Sequence, residues 1–280
     1  MIIDCHVHLN HYADEEVDAL STSLTELQTT MRRNRVDAAL ILTSYKVTPG
    51  RPSTRQVVEA VRHLPNLHVV AGISYETFSA DDVATLDTML AAGDLKGLKL
   101  YPGYEPFYPN DPKLEPAYTL AAKYDVPVMI HCGDTYTPRG KVKYAHPLHV
   151  DEAAVDHPDV KFVICHLGNP WLTDCMEVVY KNANVYADIS GLVLGNFSDR
   201  FEEYMRRQLQ DLLVWGVDPS NVLYGTDWPI SSMESYLEFM EDLRIPVKER
   251  SAIMWENTAR LFKLPRPAES SAFGALLGGL

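Results

Sequence analysis

Cysteine is scarce: the 280 residues contain four, Cys5, Cys132, Cys165 and Cys175, and none forms a C-x-x-C pair. That is too few to staple a chain of this length, so the fold must rest on a buried core. Long uncharged apolar runs are missing, and none reaches the roughly 18–20 residues a bilayer span requires. A strand-like run starts at Ile2, so no signal peptide, with its basic head and apolar middle, is expected. Positive charge is in deficit: 25 Lys+Arg against 38 Asp+Glu gives −13 with His neutral. An acidic surface repels phosphate, which argues against general nucleic-acid binding and against adsorption to anionic membranes. There is no G-x-G-x-x-G, no His-Glu-x-x-His and no internal repeat. The Gly133…Gly140-Lys141 segment is too widely spaced for a phosphate loop, and Val142 stands where Ser or Thr is needed. These absences lead to the expectation of a cytoplasmic protein in a reducing compartment, acting on a small molecule.

What is present suits one sizeable core: 46% of residues are hydrophobic and 22% charged. Short apolar runs are expected as strands at Ile2–His8, Ala38–Thr43, His68–Ile73, Gly97–Tyr101, Pro127–Cys132, Lys161–His166, Asn184–Ile189 and Asn221–Thr226. Amphipathic stretches between them read as helices, the third capped by Asp81 and ended by Gly93. Strands that alternate with helices must pair in parallel, and eight such units fit a closed α/β barrel over residues 1–265. The last helix, near Ile253–Phe262, would close it with Leu261 and Phe262. Residues 266–280 form a separate tail, either frayed or docked on a partner subunit.

The unusual polar residues cluster at the C-terminal strand ends, where barrel enzymes do their chemistry. Strand one carries Asp4-Cys5-His6-Val7-His8. With period two, Asp4, His6 and His8 share a face, and Asp4 lies deeper as a supporting residue. Lys99 and Tyr101 end strand four, His131 strand five, His166 strand six and Asp227 strand eight. So many polar groups aimed into one space would be costly without partners, and a divalent cation supplies them. Cys5, Cys132 and Cys165 each neighbour one of these residues, so alternation would turn them outward as small buried hydrophobes. An aromatic and basic rim is expected from the loop Tyr101–Tyr108 and from Trp171, Trp228 and Arg139, with Lys141 and Lys143. Lys99, Tyr101, Arg139, Trp171 and Trp228 are therefore candidates to bind a small anionic substrate.

Asp4-x-His6-x-His8, His131, His166 in a His-Leu-Gly turn and Asp227 in Gly-Thr-Asp-Trp-Pro resemble the amidohydrolase superfamily. The closest likeness is to its amidohydrolase-related branch of decarboxylases and hydrolases. The resemblance runs from Ile2 to the Glu256–Phe262 helix. It implies a distorted (β/α)8 barrel of the metallo-dependent hydrolase type. It also implies one divalent ion, Zn2+ or else Mn2+, on His6, His8, His131 and Asp227, with Asp227 and His166 catalytic. A second ion bridged by Lys99 is the departure the family allows, and a homodimer is its common assembly. The implied reaction is hydrolysis of a lactone, ester or amide by activated water. Non-oxidative decarboxylation of an unsaturated or aromatic acid is the alternative, and a non-catalytic binding barrel a minor third.

Overall fold

The computed structural model describes residues 1–10 and 19–265. Its eight strands are β1 (Ile3–Val7), β2 (Ala38–Leu42), β3 (Leu67–Gly72), β4 (Gly97–Leu100), β5 (Val128–Ile130), β6 (Phe162–Ile164), β7 (Val185–Asp188) and β8 (Val222–Leu223). They pair in parallel in chain order, β1 through β8. β8 meets β1 through Cys5 N–H to Tyr224 O at 2.9 Å, Asp227 N–H to His6 O at 2.8 Å and His8 N–H to Trp228 O at 2.7 Å. The sheet is thus a nearly closed (β/α)8 barrel.

The crossover helices are α1 (Ala19–Asn34), α2 (Thr54–Val61), α3 (Ala80–Ala91), α4 (Glu115–Tyr124), α5 (Leu148–Asp156), α6 (Leu172–Lys181), α7 (Asp199–Trp215) and α8 (Met233–Asp242). Local chemistry sets their ends. Ser53 and Gln56 form a capping box on α2. On α3 the cap is Ser79, paired reciprocally with Asp82, and not Asp81 as the sequence suggests. The Ser79 side chain accepts from the Asp82 amide, so the helix starts earlier, at Ala80. Gly93 ends α3 in the left-handed region, at φ +77°. Among the described residues no helix is long and apolar enough to cross a membrane. The tail 266–280 lies outside the described residues.

Two shells of apolar side chains fill the barrel. An inner cluster contains Ile3, Cys5, Leu40, Leu42, Val70, Met129, Val163, Cys165 and Leu223, joined by Leu261 and Phe262. The Phe262 ring approaches Gly97, the first residue of β4, so this end of the chain plugs the N-terminal side of the barrel. An outer layer between strands and helices holds Val69, Leu98, Leu100, Ile130, Cys132, Ile164 and Ala187. Each Val, Leu, Ile, Phe or Met among them contributes about 1.5–3 kcal/mol when fully buried.

Cys132 faces outward as expected, but Cys5 and Cys165 face the barrel interior. The reason is local. The pairing of β1 with β2 shifts register between Asp4 and Val7, a bulge that reverses the inside–outside alternation. Ile3 and Cys5 therefore point inward, and Asp4 is displaced toward β8 instead of sharing a face with His6. On β6 the alternation holds through Cys165, then breaks at His166 and Leu167, whose φ values are +61° and +49°.

Candidate metal centre and its cavity

Asp4 anchors the first layer of the site. Its carboxylate accepts from Thr226 Oγ1 at 2.6 Å, Thr226 N–H at 3.1 Å and His6 N–H at 3.1 Å, joining β1 to the end of β8. Complete burial pushes its pKa up to about 7 despite these bonds.

His6 and His8 are oriented by groups outside the cavity. His6 Nδ1 lies 2.9 Å from Asp188 Oδ2 and 2.9 Å from Ser190 Oγ. His8 Nδ1 lies 2.7 Å from the Leu42 carbonyl. A carbonyl or carboxylate only accepts, so both rings carry their proton on Nδ1 and present an Nε2 lone pair. Both lone pairs meet one carboxylate: Asp227 Oδ1 is 3.1 Å from His8 Nε2 and 3.6 Å from His6 Nε2. Asp227 reaches them from a left-handed backbone, φ +68°.

His131 and His166 complete the wall. His131 Nε2 donates to the Asp134 carbonyl at 2.9 Å, leaving Nδ1 as its acceptor. His166 Nδ1 sits 3.1 Å from the Ser190 carbonyl, so its Nε2 is also an acceptor. These two acceptors face each other at 3.2 Å. Two lone pairs so placed repel, and a shared proton or a cation between the rings relieves it.

Asp188 is one residue the sequence reading missed. It is fully buried at the end of β7. Beyond His6, it accepts from the backbone N–H of His166 at 2.9 Å and of Ser190 at 3.0 Å, and from Ser190 Oγ. The available signal was a lone carboxylate ending an apolar run, Val185-Tyr186-Ala187-Asp188, the same signal that exposed Asp227.

The electrostatics favour cation binding. Burial lowers the His6 pKa to about 4, lowers His131 far below its ordinary value and lowers His166 as well. All three rings are therefore neutral at pH 7, the form that ligates. Burial pushes the Asp188 and Asp227 carboxyls up, but the charge that the neighbouring imidazoles carry when protonated outweighs it and holds both well below the usual carboxylate range. The ligand atoms of His6, His8 and Asp227 lie within 4.8 Å of one another, so this donor set fits a divalent ion. Three of the four expected ligands are thus brought together, while His131 borders the trio with Nδ1 turned toward His166. A second group, His6, Cys165 and Asp188, is equally compact, but there the carboxylate is already bonded to His6 Nδ1.

The centre opens into a cavity of about 440 Å³. Lys99 and Tyr101 line it as expected. Arg139, Trp171 and Trp228 do not. Arg139 is exposed on the loop after β5. Trp171 packs on His146 with centroids 4.7 Å apart. Trp228 is 8% exposed and packs in the outer core layer. Their places are taken by Asn10, Tyr45, Arg51 and Tyr136, beside Tyr104 of the expected Tyr101–Tyr108 rim. Tyr45 packs against Tyr101 and Tyr104 at 5.0 and 6.2 Å, and Tyr104 against His131 at 4.8 Å. These are loop residues, which no periodicity marks. Lys99 Nζ points down to Cys165 Sγ at 2.7 Å.

The chain is 23% identical over 192 residues to a gamma-resorcylate decarboxylase of Rhodococcus jostii, an alignment covering 59% of this chain and 58% of that protein. It thus spans under two thirds of the length of the curated relatives it matches. A solved 5-carboxyvanillate decarboxylase of Novosphingobium aromaticivorans, a variant with bound manganese, superposes with TM-score 0.68 at 12% identity, covering 94% of this chain and 97% of that one. A putative 2-pyrone-4,6-dicarboxylic acid hydrolase of Pseudomonas putida gives TM-score 0.68 at 17% identity, with 94% and 97% covered. The model of the amidohydrolase family matches residues 3–264. The barrel, the strand-end histidines and that match agree: this chain belongs to the amidohydrolase family.

Proposed function

We propose that the protein is a metal-dependent hydrolase that cleaves a C–O or C–N bond (a lactone, ester or amide) in a small anionic substrate. The observation that carries this reading is Asp227. It is an ionised carboxylate held between two Nε2 atoms whose opposite nitrogens are tied down. An ionised carboxylate beside the reacting centre is a base, as hydrolysis requires, whereas decarboxylation requires an acid to protonate carbon. His6, His8 and Asp227 would hold the ion, with His131 Nδ1 as a fourth donor. The N/O donor set suits Zn2+, with Mn2+, found in the Novosphingobium neighbour, as the second candidate. When bound, such an ion supplies Lewis acidity that brings the pKa of water from 15.7 toward about 7.

The chain's own groups do the rest. Asp227 accepts the proton of the attacking water. His166, neutral at pH 7 and fixed through Nδ1, accepts a proton on Nε2 and delivers it to the leaving atom. Lys99 and Arg51 place two cationic side chains on the cavity wall, suited to a substrate carboxylate, and the tyrosines suit a planar body. That tyrosine-lined wall also supports the second reading, decarboxylation of an aromatic acid, as does the resorcylate decarboxylase relative. Metal-replete protein offered a lactone panel and a panel of hydroxybenzoates and muconate-type acids separates the two. Lactone turnover without CO2 is expected; CO2 release without lactone turnover overturns the preference. We propose one ion per chain and a homodimer, both readable by metal analysis and light scattering.

A further inference from the structure

Lys99 and Cys165 face each other inside the barrel, under the floor of the cavity. Lys99 is 1% exposed and Cys165 0%. They sit on β4 and just beyond β6, strands separated by β5. The Nζ–Sγ separation is 2.7 Å. That is the short end of an N–H···O bond, and sulfur is a larger atom than oxygen. One oxygen atom singly bonded to both N and S spans about this distance, so the two side chains are spaced for such a link without moving the strands. A buried lysine is usually matched to a carboxylate, yet here the hydrogen-bond partner is a thiol. Lys99 also lines the cavity, so a small oxidant entering it reaches the pair.

We propose that Lys99 and Cys165 are a covalent modification site, joined on oxidation by dioxygen through an Nζ–O–Sγ bridge. The balance is one ammonium, one thiol and one O2 giving the bridge, one water and one proton released to solvent. The amine and the thiol each give up one hydrogen, and these leave as water with one oxygen atom. The other oxygen atom forms the N–O and O–S bonds. Nitrogen and sulfur together lose the four electrons that O2 gains. Two equivalents of a dithiol return those electrons, free the amine and thiol, and release the oxygen as water. The bridge holds Nζ out of the cavity and clamps β4 to β6 across β5. Oxidation thereby removes one cation from the substrate wall. Its chemistry is read by mass, without substrate, so it stands or falls independently of the hydrolase reading.

The experiment is intact-mass and peptide analysis of the full chain, purified in air and compared with dithiol-treated protein. The air-exposed form is expected to be about 14 Da heavier, one oxygen gained and two hydrogens lost, and to revert with dithiol. A non-reduced digest should show the Lys99 and Cys165 peptides joined. Cys165→Ser should abolish the shift and Cys5→Ser should keep it. The wild-type mass and peptide map suffice if either variant fails to fold. Unchanged mass under oxygen overturns the proposal. So does a gain of about 16 or 32 Da on Cys165 without a cross-link, which is simple thiol oxidation. Loss of two hydrogens also overturns it, since that marks a Cys5–Cys165 disulfide or a direct N–S bond.

Discussion

At the scale of single residues, Asp188 does more than its position outside the ligand set suggests. It fixes the His6 tautomer through Nδ1 and holds the turn of His166 through its backbone amide. Such supporting carboxylates are worth about 10–100-fold in metal affinity. Asp188→Asn should weaken metal binding by about that factor, since an amide can present its NH2 to His6 Nδ1 and invert the ring's proton. Chelator-competition titration measures this, and unchanged affinity would show that Ser190 alone holds the ring. His68 gives a pH prediction remote from the site. Burial, and secondarily Lys96, lowers its pKa from 6.5 to about 4. The unfolded chain therefore binds more protons between those values, and stability falls as pH drops from about 6.5 to about 4. His68→Gln should recover about 1–2 kcal/mol of the loss near pH 5, a figure discounted for partial exposure, and change little at pH 8. Urea unfolding at both pH values checks it.

At the scale of elements, the site is made where strands stop being strands. Lys99 and His131 sit where alternation along β4 and β5 puts them, so period-two reasoning reaches them. His166 and Asp227 do not follow that rule. Each turns inward on a left-handed backbone, at φ +61° and +68°, in a region that costs about 1–2 kcal/mol for a residue with a side chain. Asp188 N–H acceptance and the His6 carbonyl offset that strain. The loop after β7 provides a controlled test. Gly191 has φ +60°, and a Cβ there would lie 2.5 Å from His166 Nδ1 and 2.9 Å from Asp227 Oδ2. Gly195 has φ +68°, and its Cβ would meet nothing within 4 Å. Both alanine variants carry the left-handed cost, but only Gly191→Ala should displace the candidate ligand Asp227 and its neighbour His166. A tenfold or greater loss of metal affinity is expected for Gly191→Ala, with near wild-type binding for Gly195→Ala. Equal losses in the two titrations would mean backbone strain, not the clash, governs the site.

At the scale of the whole molecule, the candidate ligands draw together the two ends of the barrel sheet. His6 and His8 come from β1 and its exit, Asp227 from the exit of β8, the shortest strand at two residues. Few ladder bonds close that seam, so an ion bridging it should stabilise the native state by mass action. At a free metal concentration a hundred times Kd the gain is about 2.7 kcal/mol. For a chain of this size that corresponds to several degrees in Tm. Thermal melts with and without a chelator should show that difference, and Asp227→Asn should lose it. A chelator-insensitive Tm in a protein shown to carry the metal would mean the seam is held by its hydrogen bonds alone.

The sequence alone determined the architecture and most of the centre. Eight apolar runs alternating with amphipathic stretches favour a closed barrel over an open doubly wound sheet, and His and Asp at strand ends mark candidate ligands. Tertiary structure decided what periodicity cannot carry. The β1 bulge set which way Cys5 and Asp4 point, and left-handed turns set where His166 and Asp227 point. Packing chose which loop side chains face the cavity, so Arg51 and Tyr104 line it while Arg139 and Trp228 do not. Those outcomes depend on contacts between segments far apart in the chain. Neither a two-residue nor a 3.6-residue period contains that information.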